Sequence, residues 1–168
     1  ILALRGRVLH RFLVSCVHKY SGCRKYMKVV TGVVGNDIHV VANRLMELSL
    51  VARGYEVFHL GVNTYLEEFF DAVVETGAEI LLISSLNGEA EGWGREVKQL
   101  KAKYKGLDNI VMMIGGNLTV GSGDAQDIVP KYKKYGFDLV CHQVDLNTGL
   151  DMLEAFISDR KTEESDHS

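Results

Sequence analysis

From Met27 onward, short apolar runs alternate with amphipathic segments, and turn residues mark most of the boundaries. This alternation constrains the fold more than any other feature of the chain. Extended runs are expected at Met27–Val34, Tyr55–Leu60, Glu79–Leu86, Asn109–Ile114 and Leu139–His142. Helical periodicity falls between them, at Val40–Arg53, Tyr65–Thr76, Gly92–Tyr104, Asp124–Tyr135 and Leu146–Ile157. Leu45, Leu48 and Val51 are among the apolar positions of the first helix, and Gly54 is its stop. Thr64 is the expected N-cap of the second helix and Gly77 its stop. Strands separated by helices of this length imply βαβ units, hence a parallel sheet with helices on both faces. Right-handed crossovers leave few arrangements. The expected fold is α/β: a Rossmann-like (flavodoxin-like) five-stranded parallel sheet of order 2-1-3-4-5.

The expected domain covers residues 27–158, with a charged, disordered tail at 159–168. Residues 1–26 differ in character. They hold six bases and no acid, a charge of +6, against −9 for the rest of the chain. Val8, Leu9, Phe12, Leu13, Cys16 and Val17 recur there at helical spacing. An extension that docks on a partner, an acid-free targeting segment and a non-native leader before Met27 all fit this pattern. His10, Cys16, His18 and Cys23 match no standard zinc spacing. The acidic body argues against nucleic-acid binding, because phosphate contacts need a basic surface. No apolar run approaches the roughly 18 residues of a membrane span. Three cysteines without a disulfide framework fit a reducing compartment, the cytoplasm.

In doubly wound sheets, ligands bind beyond the carboxyl ends of the strands, at the switch point. Three segments lie at such ends: "GNDIH" (35–39), "SSLNGE" (84–89) and "GGNLTVG" (115–121). Neither GxGxxG nor GxxxxGK[ST] occurs, which argues against nicotinamide and nucleoside triphosphate sites. A flavin phosphate loop would be rich in Ser and Thr, where this chain has Asp37 and His39. A phospho-acceptor Asp is missing from the end of the third strand, which reads Ile-Ser-Ser-Leu. A neutral imidazole can ligate a metal through one nitrogen while the other donates to a carboxylate. One His without a second ligand nearby builds no zinc site. It suits an axial bond to a metal that brings its own equatorial ligands, as in haem or corrin.

Asp37-x-His39, then Ser84-x-Leu86, then Gly115-Gly116 resembles the cobalamin-binding signature DxHxxG…SxL…GG. Within that superfamily, "VVGNDIHVVANRLM", "SSLNGE", "GGNLTVG" and "YGFDLV" resemble segments of the small (sigma) subunit of glutamate mutase, across about Lys28 to Ile157. The resemblance implies adenosylcobalamin as cofactor. His39 would be the lower axial cobalt ligand and Asp37 its orienting partner. The nucleotide tail would lie in a slot beside the sheet, where small residues let the backbone approach a heterocycle. The implied cofactor set is Asn36, Asp37, Ile38, His39, Val40, Ala42, Ser84, Ser85, Leu86, Gly115, Gly116, Asn117, Leu118, Thr119, Val120 and Gly121. The implied reaction is a radical rearrangement of L-glutamate to threo-3-methylaspartate, with no catalytic residue in this chain beyond the ligand. No Arg lies in the three segments, so the amino-acid substrate is expected on a separate large catalytic subunit.

Two departures stand out. The signature's Gly is Ala42, whose extra methyl costs about 1–3 kcal/mol if the site is overpacked. "CHQVDLNT" replaces a stretch expected to hold Pro and Gly. A corrinoid carrier for methyl transfer is the first alternative, but residues 1–26 are short for the helical cap of such carriers. A cobalamin-binding regulatory module is the second, and no DNA-binding segment accompanies it.

Overall fold

The computed structural model describes residues 26–35, 39–119 and 125–166. Five strands are interleaved with helices in the order β1 (Lys28–Val33), α1 (Val40–Ala52), β2 (Glu56–His59), α2 (Leu66–Thr76), β3 (Ile80–Ser85), α3 (Ala90–Gly94), α4 (Val97–Lys101), β4 (Val111–Gly116), α5 (Ala125–Lys134), β5 (Leu139–His142) and α6 (Leu146–Asp166). All pairs are parallel and the order is β2-β1-β3-β4-β5, as the alternation implies.

The central strands read as continuous apolar runs because both of their faces are covered. Successive side chains alternate between two cores. Val30, Leu81, Ile83, Met112 and Ile114 meet Phe69 and Phe70 of α2, Val97 of α4 and Tyr132 of α5. Val29, Ile80, Leu82 and Met113 meet Leu50 of α1 and Leu150, Leu153 and Ile157 of α6. Among the described residues, α1 and α6 are the helices that cover this second face, and they leave a space between them near the strand ends.

α1 packs differently from its apolar pattern. Leu45 and Leu48 are half exposed, and the buried residues are Asn43, Glu47 and Leu50, at i, i+4 and i+7. Beneath them lie Thr31 of β1 and His59 of β2, paired in register. Glu47 accepts a bond from Arg44, and Asn43 Nδ2 donates to the Gly61 carbonyl at 3.2 Å. Asn43 Oδ1, His59 Nε2 and Thr31 Oγ1 find no partner among the described residues.

Three further differences have local causes. The expected helix over Gly92–Tyr104 is two short ones, α3 and α4, broken at Arg95–Glu96. There Gly94 lets the backbone approach Tyr135, whose ring would lie 3.1 Å from an added Cβ. Tyr65, rather than Thr64, caps α2: its N–H donates to the Glu68 carboxylate at 2.9 Å, while Thr64 bonds back to the Leu60 carbonyl. The tail expected to be disordered from Ser158 continues α6 to Asp166. No Gly or Pro stops it, and Thr162 Oγ1 bonds the Ser158 carbonyl one turn back. Residues 1–25 of the N-terminal extension lie outside the described residues.

Two measurements check this architecture. Gly116 has φ +118°, and a Cβ there would stand 2.1 Å from the Ser85 carbonyl oxygen on the neighbouring strand. Gly116→Ala is therefore expected to cost at least about 2 kcal/mol, read as a lowered urea midpoint. An unchanged midpoint would mean that β3 and β4 separate freely at this point. Burial pushes the His59 imidazole below its ordinary value, and Glu47 only partly opposes this. The unfolded chain then binds the proton more readily. Stability is full above about pH 6.5 and falls as the pH drops below it. His59→Phe should flatten that part of the slope, compared with wild type between about pH 7.5 and 5.5.

Candidate functional site

β1, β3 and β4 end side by side. β1 reaches Val33 opposite Ser84, and Ser84 pairs with Gly115. Because α1 follows β1 and α3 follows β3 on opposite faces, a crevice opens between the two strand ends. On the α1/α6 side it deepens into a cavity of about 220 Å³. Ser84, Gly115 and Gly116 form its floor, Ala42, Leu45 and Met46 one wall, and Leu146, Gly149 and Leu150 of α6 the other.

The residues named from the sequence fall in different places. His39 sits at the N-cap of α1, exposed, with φ −73° and ψ 70°. Val40 is exposed beside it. Ala42, Ser84, Leu86, Gly115 and Gly116 line the cavity, so the methyl of Ala42 belongs to its wall. Two residues turn away from it. Ser85 is fully buried on the opposite face of β3, and Leu118 sits in the opposite core, where Tyr132 Oη donates to its carbonyl at 3.0 Å. Alternation along the strand explains Ser85. Asn117 and Thr119 are half-buried, and Asn117 holds the rim together: its carbonyl accepts the Gly88 N–H at 3.2 Å. Asn36, Asp37, Ile38, Val120 and Gly121 lie outside the described residues.

The sequence reading missed the far wall. Met113 and Cys141 lie on the slot side of β4 and β5, and α6 supplies Gly149 and Leu150. An isolated Gly inside a helical pattern was the available signal. A Cβ at Gly149 would stand 3.6 Å from Met113 Cε and 3.7 Å from Cys141 Sγ. His142, next along β5, accepts the Leu118 N–H on Nδ1 at 3.2 Å and so braces the loop after β4.

The cavity is an apolar one. Burial pushes the Cys141 thiol up, which keeps it neutral. Asp145, at the rim, is spent on capping α6: its carboxylate accepts the Thr148 N–H at 3.0 Å, and that bonding holds its carboxyl below the usual range. Ser84 is the remaining hydroxyl in the lining. Among the described residues no three His, Cys, Asp or Glu side chains converge as a metal-binding group. A narrow apolar slot with small residues on its floor, and an imidazole near where the strands end, suit a macrocycle with a heterocyclic tail.

A doubly wound sheet with such a slot at its switch point defines a ligand-carrying α/β domain. Residues 27–143 match the B12 binding domain family, and the chain belongs to it. It is 40% identical over 118 residues to the glutamate mutase sigma subunit of Carboxydothermus hydrogenoformans, covering 69% of this chain and 84% of that one. It is 36% identical over 142 residues to glutamate mutase sigma subunit 2 of Haloarcula marismortui, covering 82% and 92%. Among solved structures, a cobalamin-binding protein from Desulfitobacterium hafniense superposes with a TM-score of 0.62 at 27% identity. That match covers 78% of this chain and 59% of the other. No helix among the described residues is long and apolar enough to cross a membrane.

Gly149→Ala separates stability from binding. Alanine is favoured over glycine in a helix by up to about 1 kcal/mol, and its Cβ makes ordinary contacts here. The urea midpoint should rise while affinity for cobalamin falls roughly tenfold, because the methyl narrows the slot. Unchanged affinity would place the tail elsewhere.

Proposed function

We propose that this chain is the cobalamin-carrying subunit of an adenosylcobalamin-dependent carbon-skeleton mutase. The reaction is the rearrangement of L-glutamate to threo-3-methylaspartate, performed with a separate large subunit. One observation carries the reading: the apolar slot between α1 and α6, opening at the strand ends near His39 in a chain related to glutamate mutase sigma subunits. When bound, the cofactor supplies an organic radical by homolysis of its cobalt–carbon bond.

The residues of this chain bind and orient. His39, at the N-terminus of α1, would hold the cobalt through one imidazole nitrogen. Asp37, two residues earlier in the sequence, would accept a hydrogen bond from the N–H of the other nitrogen, which would fix the tautomer and raise the ligand's basicity. Ser84 would offer its hydroxyl as a polar contact to the tail, and Met46, Met113 and Leu150 would exclude water from around it. Gly115 and Gly116 let the tail lie against backbone. The lining holds no Arg or Lys among the described residues, so recognition of a dicarboxylate would fall to the large subunit. Kinship with mutase subunits favours this reading over a methyl carrier.

A spectral titration with adenosylcobalamin tests it. Wild type should bind with the red-shifted spectrum of base-off, histidine-ligated cobalamin, and His39→Ala should lose that signature. Adding a glutamate mutase large subunit should then produce methylaspartate from glutamate. No binding at saturating cofactor, with or without the large subunit, would sink the reading. Binding without mutase activity would redirect it to methyl transfer.

A further inference from the structure

We propose that Asn43 is a positioning residue for the axial ligand: it pegs the N-terminal half of α1 to the sheet and so fixes where His39 stands. The inference rests on the cobalamin reading and extends it to a residue outside the signature.

Three observations carry it. First, the described start of α1 has few buried anchors. His39 makes no side-chain capping bond, and the first turn contains no acid. Of residues 39–45, Asn43 alone is buried, at 1% exposure, while His39, Val40, Val41, Ala42, Arg44 and Leu45 are exposed. The first apolar side chain of α1 to be fully buried is Leu50, two turns further on. Second, the bond made by that peg is specific. Asn43 Nδ2 donates to the Gly61 carbonyl at 3.2 Å, and the same carbonyl accepts the Val33 N–H from the end of β1. Asn43 thus ties the helix to the ends of β1 and β2, beside the strand end that leads into His39. His39 lies one turn before it, on the same side of the helix, and its carbonyl accepts the Asn43 N–H. Third, the arrangement is costly as packing. Asn43 Oδ1 has no partner among the described residues, and His59 Nε2 and Thr31 Oγ1 beneath α1 are unpaired as well. An unpaired buried acceptor destabilises a fold, and an apolar residue of the same shape would remove the penalty. If Asn43 only filled space, leucine would serve better.

The two roles predict opposite results. Asn43→Leu in the full chain should keep or raise the urea midpoint. Histidine ligation should nevertheless weaken at least about fivefold, because the helix start is no longer fixed. The readout is electron paramagnetic resonance of bound cob(II)alamin with ¹⁵N-histidine-labelled protein, which reports a His nitrogen on cobalt directly. Wild type should show the His coupling on all bound cofactor and His39→Ala none. Asn43→Leu should hold cobalamin mainly base-off without the coupling. Asn43→Ala, which cannot overpack, should do the same, and it serves if the leucine variant misfolds. Full His coupling in either folded variant overturns the inference. Hydrogen exchange without cofactor keeps this outcome separate from failure of the cobalamin reading. Amides of residues 41–46 should exchange at least about tenfold faster in Asn43→Leu, with those of β3 unchanged. Unchanged exchange at 41–46 overturns the peg even if wild type proves to bind no cobalamin.

Discussion

The attachment of α1 to the sheet is the constraint on which the rest depends. At its C-terminal end, Leu50 is inserted among Val29, Ile80 and Leu82 and is fully buried. Over the preceding two turns the helix meets the sheet through Asn43 and Glu47 instead. A helix docked by apolar residues along its whole length would close onto β1 and β3. Docked at one end by a leucine and near the other by an amide, it leaves its inner side free to wall a slot. Ala42, Leu45 and Met46 face that space because the polar residues hold the other edge of the helix against β2.

The opposite face of the sheet shows what a closed interface looks like. Phe69, Phe70, Tyr132 and Phe137 fill it, with ring centroids of Tyr132 and Phe137 6.3 Å apart and Phe70 stacked on Tyr104 at 5.5 Å. Their polar tips are used: Tyr104 bonds Asp71 at 2.8 Å, and Tyr132 bonds the Leu118 carbonyl. On the slot side the corresponding residues are Gly115, Cys141 and Gly149. Substituting small residues for aromatic ones leaves volume unfilled. The asymmetry between faces therefore decides which side of the switch point receives a ligand's tail.

Strand order and the central core were legible because β1, β3 and β4 are apolar on both faces, and such runs fit only the middle of a covered parallel sheet. The floor of the slot was legible through Ser84, Leu86, Gly115 and Gly116, which stand where strands end. The far wall was not, since Leu146 and Leu150 read as the core stripe of any amphipathic helix. Only the tertiary approach of α6 to Cys141 turns Gly149 into part of a site. The rotation of α1 about its axis was not legible either. Leu45 and Leu48 carry the hydrophobic signal, and periodicity assigns them inward. The helix rotates to bury Asn43 and Glu47 because Leu50 and the Gly61 carbonyl fix it at two points that hydropathy does not encode. Leu45 then becomes a lip of the slot, half exposed until something covers it.

Charge distribution follows the same division. Among the described residues, the slot lining holds the carboxylate of Asp145, already committed to capping α6, and no cation. The ionic networks lie outside it: Arg53 spans to Asp151 and Glu154 behind α1 and α6, and Glu91 pairs with Arg95 and Lys131 on the other face. Exposed pairs of this kind contribute little to stability, and they leave the slot without a fixed cation. A dicarboxylic amino acid needs cationic donors in defined positions. An apolar slot whose described lining lacks such donors suits the neutral part of a cofactor better than a dicarboxylic amino acid.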